Sequence, residues 1–178
     1  GECENIFDYQ GSFDLFDLNS TESLLAFGGE GVDDEIVIWD VKKQVEVCRT
    51  PKAEFGRFVP VGNTLAVVRG QKIELIDALI CTLTRELDIS LLSEHDNYLA
   101  FSPDGRHIAI ARASIEIFDI STNEMLAQLP YPDNAIPISS ELFFSGIKYS
   151  PDGQYLLIAY FVTEGADDGI IQLWRLKP

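Results

Sequence analysis

Short apolar runs, each bounded by a turn, recur at a regular interval along the 178 residues. The clearest pair reads Phe101-Ser102-Pro103-Asp104-Gly105-Arg106-His107-Ile108-Ala109-Ile110-Ala111 and Tyr149-Ser150-Pro151-Asp152-Gly153-Gln154-Tyr155-Leu156-Leu157-Ile158-Ala159. In both, proline presets φ at the second turn position and glycine suits the last, so each copy predicts a β-hairpin. Two more divergent copies align without a gap, Leu18 to Gly28 and Phe58 to Val68. Downstream of each turn a second run follows: Ile36-Val37-Ile38-Trp39-Asp40, Ile73-Glu74-Leu75-Ile76-Asp77, Ile115-Glu116-Ile117-Phe118-Asp119 and Ile171-Gln172-Leu173-Trp174-Arg175. Their near-alternation predicts strands, and a third, more polar strand follows the first three copies at 44–48, 81–87 and 124–129. One unit of three or four short strands therefore occurs four times, in repeats of approximately 13–50, 53–88, 97–130 and 142–178.

The strand leaving each turn is apolar on both faces, as in Leu65-Ala66-Val67-Val68 and in the run from Leu156 to Val162. An antiparallel sheet with one wet side does not need this, so both faces must be covered. Small sheets stacked face to face around an axis cover them, with the polar strand at the rim, and the fold class that follows is all-β, a β-propeller. Stacked units of this kind make binding surfaces more often than active sites.

With their spacing, their aromatic-Asp or apolar-Asp strand ends (Trp39-Asp40, Ile76-Asp77, Phe118-Asp119) and their Ser-Pro-Asp-Gly turns, residues 13 to 176 resemble the WD-repeat β-propellers, especially their bacterial-style branch. The family's Gly-His dipeptide is absent, so its buried Asp-His-Ser-Trp network cannot be assembled. The resemblance implies that loops joining the second and third strands project on the partner-binding face. It also implies that the N-terminal segment, here residues 1–12, either donates a closing strand to the last blade or completes a blade encoded upstream. Four repeats are few for such a ring. The fourth ends at Leu176-Lys177-Pro178 without room for an outer strand, so part of a seven- or eight-bladed ring is expected, with a small four-bladed ring as the alternative.

Composition bounds the function. With 46% hydrophobic residues, a mean hydropathy of +0.06 and no apolar run long enough to span a bilayer, the chain reads as a soluble globular domain without a membrane partner. Its 29 acidic and 13 basic residues give a net charge of −16, which repels phosphate backbones and attracts basic surfaces. Nucleic acid is excluded on that ground, and a protein partner with a basic surface, or self-association with missing blades, is expected. The chain opens Gly1-Glu2-Cys3-Glu4-Asn5, without the pattern of a secretory signal. Cys3, Cys48 and Cys81 are odd in number and lack zinc spacing, so neither a disulfide framework nor a metal site is expected, and a reducing, cytoplasmic setting is preferred. Asn19-Ser20-Thr21 matches a glycosylation acceptor, a triplet common by chance.

Candidate chemistry falls in the connections. Gly29 to Glu35 in the first repeat and Thr163 to Gly169 in the fourth are acidic insertions at one structural address. Their carboxylates Glu30, Asp33, Asp34, Glu35, Glu164, Asp167 and Asp168, with His95 and Asp96 of a longer connection, are the candidate partner-binding residues. Solvation of the turns is their plainer role. Calcium would suit several carboxylate oxygens, yet neither loop has helix-loop-helix spacing, and no metal or cofactor is expected. No catalytic residue is expected either: Ser102 and Ser150 precede proline in a shared turn, His107 sits on a strand, and no Gly-x-Ser-x-Gly elbow exists. Gly28-Gly29-Glu30-Gly31 lacks the ending and the helix of a phosphate loop. Trp39, Ile76, Phe118 and Trp174 read as packing between blades. The expected function is a non-catalytic protein-interaction scaffold or sensor domain within a larger protein or assembly. The alternatives are an accessory propeller of a hydrolase and a periplasmic or secreted binding propeller.

Overall fold

The computed structural model describes residues 15–29, 35–53, 55–89, 91, 99–111, 114–131, 142–162 and 169–176; the candidate closing strand at 1–12 lies outside them. The described residues are all-β, without a helix, and form four antiparallel meanders, the blades of a four-bladed β-propeller fold. Blade one contains β1 (Leu15–Leu18), β2 (Leu24–Gly29), β3 (Glu35–Asp40) and β4 (Val45–Pro51). Blade two contains β5 (Phe55–Phe58), β6 (Thr64–Arg69), β7 (Lys72–Asp77) and β8 (Thr82–Leu87). In blade three are β9 (Leu99–Phe101), β10 (His107–Ala111), β11 (Ile115–Asp119) and β12 (Met125–Leu129). Blade four has three strands, β13 (Leu142–Tyr149), β14 (Tyr155–Val162) and β15 (Gly169–Arg175), with β15 at the sheet edge. The chain divides into two compact units, residues 1–94 and 95–178, each holding two blades.

One backbone bond recurs at the same end of every blade, from Asn19 to Leu24, Val59 to Thr64, Ser102 to His107 and Ser150 to Tyr155, and in three blades a side chain reinforces it. In the Ser-Pro-Asp-Gly turns the hydroxyls of Ser102 and Ser150 donate to Asp104 and Asp152 at 2.6 Å and accept the N–H groups of His107 and Tyr155 at 2.9 Å. Gly105 and Gly153 close these turns at φ +69° and +71°, where a side chain would be strained. Blade one substitutes Asn19, whose carboxamide oxygen accepts from Ser23 and Leu24 at 2.9 Å, while Glu22 takes the left-handed position at φ +51°. Asn19 is buried, and its amide nitrogen donates to Thr21, Ser23 and, across to blade two, Asn63 at 3.1 Å. The glycosylation triplet is therefore a structural turn whose acceptor nitrogen is enclosed.

The Asp that ends each third strand has an equally local role. Asp40 accepts from Lys42 and Lys43, Asp77 from Leu79, and Asp119 from Ser121 and Thr122, all within 3.0 Å. Each caps a five-residue hairpin whose last residue, Gln44, Cys81 or Asn123, is left-handed. The residue after β3, β7, β11 and β15 then donates back to the first turn, from Val41 to Ser23, Ala78 to Asn63, Ile120 to Arg106 and Leu176 to Gln154. These bonds lock the two turns of each blade together.

In the first unit, Leu24, Ala26, Ile36 and Ile38 of blade one pack on Phe58, Leu65, Val67 and Ile76 of blade two. Fully burying a leucine or isoleucine contributes roughly 1.5–3 kcal/mol, so this contact outweighs any one turn bond. A half-buried carboxylate, Asp17, also crosses it, accepting the Phe58 N–H at 2.8 Å. At the rim the outer strands are joined covalently: Cys48 of β4 and Cys81, just before β8, form a disulfide with Cα atoms 5.9 Å apart. This corrects the expectation of unpaired cysteines. The odd count was a poor guide because the pairing is set by two outer strands meeting side by side, 33 residues apart in sequence.

In the second unit, Ala109, Ala111, Ile115 and Ile117 of blade three pack on Ile147, Tyr149, Leu156 and Ile158 of blade four, with Trp174 partly buried beside them. Trp174 thus takes the packing position read from the sequence, but without full burial. A second difference lies in β14. Its apolar run suggests that both faces are covered, whereas Leu157 is exposed while Leu156 and Ile158 are buried.

Candidate functional site

Because each blade is a meander, the turns just described occupy one end, and the connections from second to third strand emerge at the other. The chain also leaves β4, β8 and β12 at that second end. Two second-to-third connections are tight, from Arg69 to Lys72 and from Ala111 to Ile115; the other two, from Gly29 to Glu35 and from Val162 to Gly169, are the acidic insertions. Backbone pairing of Gly29 with Glu35 and of Phe161 with Gly169 closes the strands beneath them, so the two insertions share one address in their blades. Gly28 sits at the first of these mouths with φ +127°, and an added Cβ there would overlap the Glu35 carbonyl oxygen. Only glycine lets β2 and β3 approach so closely.

Of the nine candidate residues, Glu35 falls among the described ones; Glu30, Asp33, Asp34, His95, Asp96, Glu164, Asp167 and Asp168 lie outside them. Glu35 accepts from Arg49 at 3.2 Å, and Arg49 grips Glu46 with two bonds of 2.7 and 2.8 Å. The two carboxylates, Glu46 first, raise the guanidinium's pKa further, and the Arg49 guanidinium in turn holds Glu46 below the usual carboxylate range. Nearby, Arg69 of β6 bonds Glu74 at 2.8 Å and also reaches Pro51 and Thr50 of blade one, and Lys72 bonds Glu86 at 2.8 Å. These three cations are committed inside the first unit.

Charge is distributed unevenly between strands and connections. Segments 30–34, 92–98, 132–141 and 163–168 together hold ten acidic residues and no lysine or arginine, in a chain of net charge −16. The described strands that precede these segments end on the side of their blades away from the Ser-Pro-Asp-Gly turns, the side where Lys52, Arg69 and Lys72 of the first unit also stand.

The serines are occupied. Ser102 and Ser150 each spend their hydroxyl proton on an aspartate and accept a backbone N–H, and these bonds hold Asp104 and Asp152 below the usual carboxylate range. His107 opens β10, opposite Asp119. Sequence reasoning did not single out a set of polar atoms on the blade-four face that meets blade three: the Tyr149 hydroxyl, Gln172 Oε1 and Trp174 Nε1 are buried and find no hydrogen-bond partner among the described residues. Burial, then the negative charge of Asp104, pushes the Tyr149 hydroxyl pKa up, so the phenol stays protonated. Such atoms recruit ordered water where space allows.

No family model matches the chain, and no curated protein matches it. By shape, 902 solved chains do. One is hydrazine synthase of Kuenenia stuttgartiensis, with a TM-score of 0.67 and 16% identity over 93% of this chain and 51% of that one. The chain thus spans about half the length of that structure, and at this identity the likeness shows a shared fold. A fold common to so many chains does not by itself identify a function.

Proposed function

We propose that the chain is a divergent WD-repeat-like propeller segment that acts as a non-catalytic interaction platform, its acidic connections receiving a basic segment of a protein partner. The observation that carries this reading is that segments 30–34, 92–98, 132–141 and 163–168 hold ten acidic residues and no lysine or arginine, and that the strands preceding them end on one side of their blades. Long-range attraction of that kind accelerates encounter with a cationic partner and weakens as salt rises. The orphaned Trp174 Nε1 supports the divergent character, since the family's tetrad would have given a tryptophan a partner.

The Cys48–Cys81 disulfide bears on location. The cytoplasmic setting expected from the cysteine count loses its premise, and the pair supports the periplasmic or secreted alternative, because such bonds persist in oxidising compartments.

Binding of a fluorescent Arg/Lys-rich peptide tests the platform. Asp33→Asn with Asp34→Asn, or Asp167→Asn with Asp168→Asn, should weaken binding more than the charge-matched control Glu22→Gln with Glu124→Gln, and the difference should shrink with added salt. Equal losses in loop and control variants would reduce the effect to net charge and sink the proposal.

A further inference from the structure

The β7–β8 hairpin tip of blade two departs from its sisters, and it does so beside the disulfide. Two and three places after the strand-ending Asp stand Lys42 and Lys43 in blade one and Ser121 and Thr122 in blade three, but Leu79 and Ile80 in blade two. Neither side chain serves the turn, since Asp77 accepts the Leu79 N–H whatever residue provides it. Yet Leu79 is 49% exposed and Ile80 63%. Leu83, just beyond Cys81, is 56% exposed although it pairs with Ile76, on the face that packs against blade one. From Ala78 to Thr84 no residue is charged, in a chain where 24% are.

The disulfide is itself within reach of solvent. Cys48 and Cys81 are both partly exposed, at the rim, while the blades meet deeper through Leu24, Ile38, Leu65 and Ile76. Cys81 holds the left-handed place of Gln44 and Asn123, between the exposed Ile80 and Thr82. Cys48 lies instead within β4, opposite Ile38, and its Sγ is 3.8 Å from the Ala78 carbonyl oxygen. A thiol released at Cys48 therefore has an acceptor. Every one of these residues belongs to the first unit.

We propose that this rim is a thiol–disulfide exchange site, its Leu79–Ile80–Leu83 surface docking a protein dithiol of the Cys-x-x-Cys class at the Cys48–Cys81 bond. The sulfurs select the occupant, because an uncharged apolar patch next to a disulfide suits a partner that must bring a thiolate to it, and docking recovers apolar surface left in water. The partner's thiolate attacks Cys81 Sγ, the Cys48–Cys81 bond breaks, and Cys48 leaves as a thiolate that takes up a proton. The partner's second cysteine, as thiolate, then attacks the partner sulfur of the mixed disulfide and expels Cys81, which is protonated in turn. The chain gains two electrons and two protons, and the partner ends as a disulfide. Exchange unties the rim strands while the apolar contact beneath them holds the blades together. The acidic connections take no part, so the peptide-binding test and this one can fail separately.

Timed alkylation and mass spectrometry read the reduction of the oxidised chain by reduced thioredoxin and, separately, by dithiothreitol. Leu79→Ser/Ile80→Thr, which copies the blade-three turn, should slow the thioredoxin reaction at least about tenfold and leave the dithiothreitol rate within about twofold of wild type. The control Met125→Ser/Leu126→Thr, at exposed apolar positions of blade three, should alter neither rate. A thioredoxin whose second active-site cysteine is replaced by serine should be trapped on Cys81. Far-UV circular dichroism confirms that the variants fold. A disulfide that thioredoxin does not reduce in the folded wild type overturns the proposal. So does a Leu79→Ser/Ile80→Thr variant that slows neither reaction or both equally, or a partner trapped on Cys48.

Discussion

Breaking the disulfide between the outer strands should cost more than any other covalent change of similar size. Cys48 and Cys81 close a loop with a sequence separation of 33, and the chain-entropy relation for such a loop gives about 3.7 kcal/mol at 25 °C. For a domain of this length each kcal/mol moves the melting temperature by roughly 2–4 °C, so reduction should lower it by about 7–15 °C. Cys81 adds a second, smaller effect. It stands at φ +50°, where the sister turn carries Asn123 at +61°, and a left-handed backbone costs a non-glycine residue about 1–2 kcal/mol. Asparagine tolerates that conformation better than serine. Cys48→Ser/Cys81→Asn should therefore melt above Cys48→Ser/Cys81→Ser, while both melt below the oxidised wild type. Thermal melts with and without a phosphine reductant read the effect, and thiol titration under denaturant should find one free thiol before reduction and three after it. Three thiols in protein matured under oxidising conditions, or a reduction-induced shift of less than about 2 °C, would refute the reasoning.

Two further predictions concern carboxylates. Asp104 and Asp152 have pKa values lowered chiefly by the serine hydroxyls, so each stabilises the fold above its unfolded pKa of about 3.9 and loses that contribution as pH falls through the folded value. Ser102→Ala/Ser150→Ala should raise both values toward 3.9 and move the acid-unfolding midpoint upward; carboxyl NMR titrations that do not shift would contradict the assignment. Asp17 has the opposite sign: burial is the largest influence and raises its pKa despite the Phe58 bond, so its ionised form is penalised above the folded pKa and relieved as pH drops. Asp17→Asn should keep the bond and match or exceed wild-type stability at pH 7, whereas Asp17→Ala leaves the Phe58 N–H unsatisfied and should cost about 1–3 kcal/mol in urea melts.

What was legible in the chain was local. Ser-Pro-Asp-Gly and the strand-ending aspartates fix their hairpins with bonds that span two to five residues, so the text that encodes them is contiguous. Asn19 shows where this begins to fail, since a residue that reads as a glycosylation acceptor is the turn's own ligand for Ser23 and Leu24. The disulfide was illegible because its closure depends on two rim strands meeting side by side, and nothing near Cys48 or Cys81 encodes that meeting. Leu157 was misread for a related reason: an apolar run states that burial is available on both faces, not that a neighbour supplies it. The acidic insertions could be placed at one address from spacing alone, but their partner is a property of another molecule.

The same separation explains why function is to be sought away from the motif that identifies the fold. At the turn end, hydroxyls, carboxylates and backbone groups satisfy one another within each blade, and a group already donating and accepting has little left for a ligand. At the opposite end the meander needs no such chemistry, because a two-residue connection suffices between Arg69 and Lys72. Longer acidic connections at 30–34 and 163–168 are therefore not demanded by the strands they join. Length and charge beyond what closure requires are open to selection by a partner.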